Sequence, residues 1–465
     1  MNFSGPPTPD DNDRDADKRI VIVGGGFAGT TLARALERRL PPGYRIVLVS
    51  EESYTTFNPM LAEVVGASVF PEHVVAPIRQ MLRPGSPSQF IMGRVTAVDV
   101  ARRHLRAQTL AGLQEIDYEH LVLAFGTRAN LDLLPGLAQH ALPLKLVGDA
   151  THIRNRVLQQ VARIELETDP VVRRRLGHFI VIGGGFSGVE VAGALSDFLG
   201  GATRYYPRVA PGELQVTVLE VGDRLLAELP ESLGQAAARS MQSRRIMLRL
   251  QARAVRVDAD GVLLADGQSL AGATVICTIG TRPNPLVDQL ALPTQRGRIE
   301  TAADLSVVGR PGVWAIGDCA LVRNGATQAF APPTAQFAVA QAQALARNIV
   351  ASLAGRSTTA FSHASRGMMA TTGHHRGVAQ LFGLQLRGLP AWLLWRAYYL
   401  MLMPTLGRKV RIWLEWSWSL FFAADITHLR FTRTSEVDAR APSALDSRAP
   451  VQSQPQRQPQ PQPQS

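Results

Sequence analysis

The chain has 465 residues, 46% hydrophobic and 19% charged, with a formal net charge of +11. That length and balance suit two or three domains with substantial cores, and they exclude a fibrous or wholly disordered chain. Its two cysteines, Cys277 and Cys319, are too far apart for a CxxC redox pair and too few for a disulfide framework or metal cluster, so both are expected as buried thiols of a reducing compartment.

Residues 1–17 are acidic and Pro-containing, without the apolar core of a signal or transit peptide, and are expected to be disordered. No run approaches the roughly 18 apolar residues of a membrane-spanning helix, which predicts a cytoplasmic chain with one-sided membrane contact at most. The apolar strand predicted at 19–23 runs into a glycine loop, with Gly24, Gly26 and Gly29 in GxGxxG register. A lone GxGxxG is weak evidence, but a β-branched strand before it and a helix after it are what a dinucleotide site requires. The first glycine makes the turn, the second admits a pyrophosphate, and the third lets helix pack on strand. A second strand is predicted at 44–49, with Ser50 and Glu51 at its end as candidates for a ribose; for Glu51 a plain surface carboxylate is a serious competitor. Residues 119–127 read as a buried strand entering a tight turn at Gly126 and Thr127.

The same plan then repeats, with Gly183, Gly185 and Gly188 in register after the apolar run 179–182. A polar excursion at 200–212 precedes a strand at 214–219 that ends in Glu220. A carboxylate there accepts hydrogen bonds from both ribose hydroxyls and repels a 2′-phosphate, which favours NADH over NADPH; Arg224 is close enough in sequence to soften that preference. A strand at 273–279 enters the turn that begins at Gly280. Two loops imply two dinucleotides and a hydride or electron path between them. The pattern then changes: Asp318, after Gly317 and ahead of a helix predicted at 333–353, is a helix cap or, by its resemblance to the same position in two-nucleotide flavoproteins, a flavin contact. The fold class is therefore α/β, with two Rossmann-like dinucleotide-binding domains, the second inserted in the first. The expected boundaries are 18–147 and 287–387 for one domain and 148–286 for the other.

Composition changes again at 388–432. Five of the six tryptophans lie there with Tyr398 and Tyr399, and Pro404 and Gly407 divide the stretch into two short elements. Val410, Ile412, Leu414, Trp416, Trp418 and Leu420 alternate as a strand would, whereas the flanking aromatics and arginines favour an interfacial helix; periodicity leaves both open. Nine basic residues from Arg366 to Arg433 face only Glu415 and Asp425. They form either a solvated face or a contact with anionic lipid, where each contributes about 1 kcal/mol. No reader motif supports nucleic acid. The tail, 433–465, is disordered by composition.

Several segments resemble the type II (alternative, non-proton-pumping) NADH:quinone oxidoreductases, two-dinucleotide flavoproteins, over roughly residues 19–432. They are SEESYTTFNPML (50–61), HALPLKLVGDA (140–150), GVEVAGA (188–194), PPTAQFA (332–338) and the aromatic C-terminus ending LFFAADITHL (420–429). The resemblance implies FAD at Gly24, Gly26, Gly29, Ser50, Glu51, Gly126, Thr127, Gly317 and Asp318. It implies NADH at Gly183, Gly185, Gly188, Glu220 and Gly280. Glu190 then stands near the nicotinamide, Ala335, Gln336 and Gln341 belong to the quinone-site helix, and Glu190 and Gln336 are the candidate catalytic residues. The C-terminal segment becomes a helical anchor on anionic lipid at the cytoplasmic face, peripheral rather than spanning, and a homodimer is left open.

One departure stands out. The family's Ala-Gln-x-Ala-x-Gln motif keeps Ala335, Gln336 and Ala338, but Ala340 replaces its second glutamine. Gln341 lies one residue on, about 100° around a helix. The activity implied is FAD-dependent NADH oxidation with two electrons passed to a membrane quinone, without ion pumping. The rivals are a reductase of the same fold with a protein acceptor and a redox or nucleotide sensor. A disulfide or sulfide:quinone reductase is disfavoured by the missing cysteine pair.

Overall fold

The structure, a computed structural model, describes residues 18–429 other than Pro87. The two stretches expected to be disordered, and Arg430 and Arg433, lie outside the described residues. Residues up to Ile426 belong to one unit, which holds everything discussed below.

Each glycine loop springs from an inner strand of a parallel sheet. In the first sheet Lys18–Val23 lies between His120–Leu123 and Tyr44–Ser50; Val313–Ala315 and Gln89–Asp99 extend it in parallel, and His104–Thr109 and Gly112–Asp117 complete one edge antiparallel. In the second, His178–Ile182 lies between Thr274–Cys277 and Gln215–Leu219, with Ala141–Pro143 and Met247–Arg249 outside them, all parallel. Both central strands are apolar on successive residues, as strands covered on both faces must be. Every strand of the second sheet falls in sequence between His120–Leu123 and Val313–Ala315, so the second α/β unit is inserted in the first. The two units are also joined by their repeated turns: Thr127–Ala129, after Gly126, pairs antiparallel with Thr281–Pro283, after Gly280.

The helices explain the separate cores. Phe27–Leu36 and the alanine-rich Ala335–Leu353 bury Leu32, Leu36, Phe337, Leu345 and Ile349 against the first sheet. Thr334 starts the latter helix, its hydroxyl accepting from Phe337 N at 3.5 Å. Phe186–Ala202 packs with the second sheet, and its other side receives the strand Gly367–Gly373 of a separate three-stranded sheet. That sheet and the C-terminal helices share the core of the second unit, through Met369, Ala370, Val378, Ala391 and Trp395.

The C-terminal stretch forms two helices, Leu389–Leu402 and Leu406–Trp418, which settles the open pattern at 410–420. The strand-like alternation is misleading because only Ile412 and Trp416, one helical turn apart, are buried, while Val410, Trp413, Leu414 and Trp418 are exposed. Pro404 falls in the break between the helices. Gly407, expected to help make that break, is instead the second residue of Leu406–Trp418. No helix among the described residues is long and apolar enough to cross a membrane.

Candidate active site

The two loops have nearly the same geometry. Gly24 and Gly183 turn at φ +115° and +114°, where an L side chain would be strained. A Cβ on Gly29 would sit 1.9 Å from the Gly24 carbonyl oxygen, and one on Gly188 would sit 1.8 Å from that of Gly183. The third glycine of each loop is therefore required by the protein's own packing. The middle glycines, Gly26 and Gly185, have extended backbone, no side-chain cap and open space where a Cβ would go. They leave the first-turn N–H groups of Phe27–Leu36 and Phe186–Ala202 free for an anion, which a helix N-terminus favours.

At the end of the second strand of each unit the register decides which residue faces the loop. Val23 pairs with Val49 and Ile182 with Leu219, so Ser50 and Glu220 hold equivalent places. Glu220 accepts from Gly184 N at 2.6 Å and from Gly222 N at 2.7 Å. This fixes the carboxylate beside the loop and leaves further lone pairs for a ribose. Ser50 Oγ lies beside Gly25, 2.6 Å from where a Cβ on that glycine would sit. Glu51 turns aside to Arg128 at 2.7 Å and Arg94 at 3.4 Å.

A cavity of about 1650 Å³ unites most of the expected site residues. Its walls include Gly24, Gly26, Ser50, Glu51, Gly126, Thr127, Gly317, Asp318, Ala335, Gln336 and, from the second unit, Glu190. Gly280 lines a smaller cavity of about 120 Å³. Gly29, Gly183, Gly185, Gly188 and Glu220 are not in the wall of the large cavity: Gly29 is packed behind its own loop, and the others form the second loop and the strand end beside it.

Gln341 does not face the cavity. It is buried, and its Oε1 accepts from Gly317 N at 2.7 Å, which ties Ala335–Leu353 to the Gly317-Asp318 turn. Gln336, five residues earlier, does line the cavity. Ser365 Oγ donates to its Oε1 at 3.5 Å, but its buried Nε2 finds no acceptor among the described residues. An unmet buried donor costs about 1–3 kcal/mol, so this amide is set to receive an acceptor from the cavity.

Glu190 is 8% exposed on Phe186–Ala202. Its Oε1 accepts from Trp395 Nε1 at 2.9 Å and from Thr371 N at 3.2 Å. Burial pushes its pKa up to about 8; the two N–H donors pull it down and the charge of Glu63 raises it further. Tyr399, also in the cavity wall, packs edge-on against Trp395 and Phe57, with centroids 4.7 and 5.8 Å away. Burial, then the charge of Glu190, raises the pKa of its hydroxyl. Sequence reading missed Trp395, Tyr399 and Thr371 as site residues; the only signal was aromatic density, which pointed to a membrane. Cys277 and Cys319 are free and buried, and burial raises the Cys319 pKa to about 12, so neither is a ready thiolate.

Two phosphate-ready helix ends, the first opening on the large cavity and the second on a helix that lines the same cavity through Phe186, Ser187 and Glu190, define a two-dinucleotide oxidoreductase. In agreement, the sequence profile of the pyridine nucleotide-disulphide oxidoreductase family matches residues 18–342. The type II NADH:quinone oxidoreductase Ndh of Mycobacterium tuberculosis is 28% identical over 420 residues, covering 87% of this chain and 88% of that one. The demethylphylloquinone reductase NdbB of Synechocystis is 30% identical over 412 residues, 86% of this chain and 96% of that one. The structure of NDH2 from Plasmodium falciparum in complex with NADH superposes with a TM-score of 0.81 at 18% identity, covering 88% of this chain and all of that one, a likeness of fold. The chain belongs to the pyridine nucleotide-disulphide oxidoreductases and, within them, to the type II NADH:quinone oxidoreductases, enzymes with FAD and NADH as cofactors.

Proposed function

We propose that the chain oxidises NADH through bound FAD and passes two electrons to a membrane quinone, without moving ions, at the cytoplasmic face of a membrane. The observation that carries this reading is the large cavity, which joins the first glycine loop to Glu190, Gln336 and Tyr399. FAD, when bound, supplies a carrier that accepts electrons as a hydride and hands them on. The chain's residues do the rest. The Gly26 helix end holds one pyrophosphate, Ser50 lies where a ribose is read, and Asp318 meets the ribityl chain. Gly185 and Glu220 do the corresponding work for NADH. Gln336 offers its unmet N–H to a quinone carbonyl, and Glu190, protonated below about pH 8, holds a proton near the reacting groups. Gln341 supports the Gly317-Asp318 turn instead of touching quinone, so Gln336 carries the head-group contact without the second glutamine. Cycling the bound flavin with NADH and then a quinone tests the reading.

The membrane part rests on Leu406–Trp418 and the residues after it. Trp413, Leu414 and Phe421 are exposed beside Arg408, Lys409 and Arg411, a mixture that suits an anionic interface. Deleting the segment is a poor test, because Trp392, Trp395, Ile412 and Trp416 are buried in the protein core. The triple variant Trp413→Ser, Leu414→Ser, Phe421→Ser leaves that core intact. It is expected to lower partitioning onto vesicles containing anionic lipid about tenfold or more, since even one such side chain withdrawn from an apolar phase forfeits about 1.5–3 kcal/mol. Unchanged co-sedimentation would sink the anchor.

A further inference from the structure

The C-terminal helices reach the interior through two indoles, each donating to a carboxylate. Trp395 Nε1 donates to Glu190 Oε1 at 2.9 Å, and Trp416 Nε1 donates to Glu63 Oε2 at 3.2 Å. The two indoles lie 6.3 Å apart, and Trp395 is 1% exposed. Arg396 stacks on Trp392 at 3.9 Å and on Trp416 at 4.6 Å, which bolts the two helices together. Trp395 therefore has a fixed ring and one donor, aimed at the carboxylate in the cavity wall.

The geometry points to Trp395 as a positioning residue for Glu190, which makes the C-terminal helix pair part of the reaction centre as well as a surface element. The inference rests on the proposed role of Glu190. The indole and the Thr371 N–H both hold Oε1, which leaves Oε2 as the proton-bearing oxygen. A donor to the carboxylate favours its charged form, so removing one raises the pKa. The other groups that face Glu190 are Glu63 on Leu61–Val65 and Tyr399 on Leu389–Leu402; the strand Gly367–Gly373 contributes the Thr371 N–H.

The test uses the full-length protein and an infrared pH titration of the protonated carboxyl band that Glu190→Gln removes. Trp395→Phe is compared with a second variant carrying benzothienylalanine at 395, which keeps the ring's shape and replaces only N–H by sulfur. Both are expected to move the band's midpoint upward from about 8 by about one pH unit. A midpoint unmoved in the benzothienyl variant would overturn the inference and leave Trp395 as packing. If the midpoint moves while the pH limb of quinone reduction stays where it was, the positioning stands and the proposed role of Glu190 in turnover fails.

Discussion

Gly185→Ala is expected to weaken NADH binding about ten- to a hundredfold while leaving the melting temperature and the bound flavin unchanged. The residue has extended backbone at φ −75°, which alanine adopts freely, and nothing lies within 4 Å of the added Cβ. The methyl group therefore meets only the ligand, in the space a pyrophosphate needs above the helix end. A loss of about 1.4 to 2.8 kcal/mol corresponds to that range. Gly188→Ala, three residues on, is expected to behave differently. Its Cβ would lie 1.8 Å from the Gly183 carbonyl oxygen, a backbone clash that no rotamer relieves. That variant should lose stability, about 1–3 kcal/mol or more, as well as NADH. Titrating flavin bleaching against NADH, alongside thermal unfolding, separates the two effects. Equal loss of stability in both variants would mean that the loop is not an open ligand cradle.

That contrast also shows what was legible in the sequence. The loops, their strands and Glu220 are local patterns, and the structure puts them where spacing placed them. Ser50 against Glu51 was not decidable locally, because it depends on the register of Tyr44–Ser50 with Lys18–Val23. Gln341 was suspect from its one-residue shift, but its bond to Gly317, 24 residues away, needs the fold. Trp395 meets Glu190 across 205 residues of chain. Its tryptophan-rich neighbourhood reads as a membrane-surface segment because both a membrane helix and a buried helix are apolar and aromatic, and sequence carries no sign of which face is covered.

Glu190→Gln is expected to produce the other large effect. The folded-state pKa of Glu190 is raised to about 8 from 4.5, so its contribution to stability is fully present below pH 4.5 and is lost as pH rises through 8. Above that point the native state carries a buried charge. Glutamine keeps an acceptor for Trp395 and Thr371 but cannot ionise. The variant should therefore gain on the wild type between pH 5 and pH 9, by as much as about 4 kcal/mol. Denaturant unfolding at the two pH values measures this; parallel stabilities would contradict the buried, elevated carboxyl. Quinone reduction should slow about a hundredfold or more if Glu190 supplies a proton and should lose its pH limb near 8, while reduction of the flavin by NADH changes little.

The central claim is that one cavity carries electrons from NADH to a quinone. Anaerobic stopped-flow absorbance of the purified holoprotein tests it most directly. The account predicts a yellow protein that bleaches with NADH and recovers on mixing with a short-chain ubiquinone or menaquinone analogue. Bleaching that recovers only with a ferredoxin-like protein, or with no acceptor offered, would contradict it.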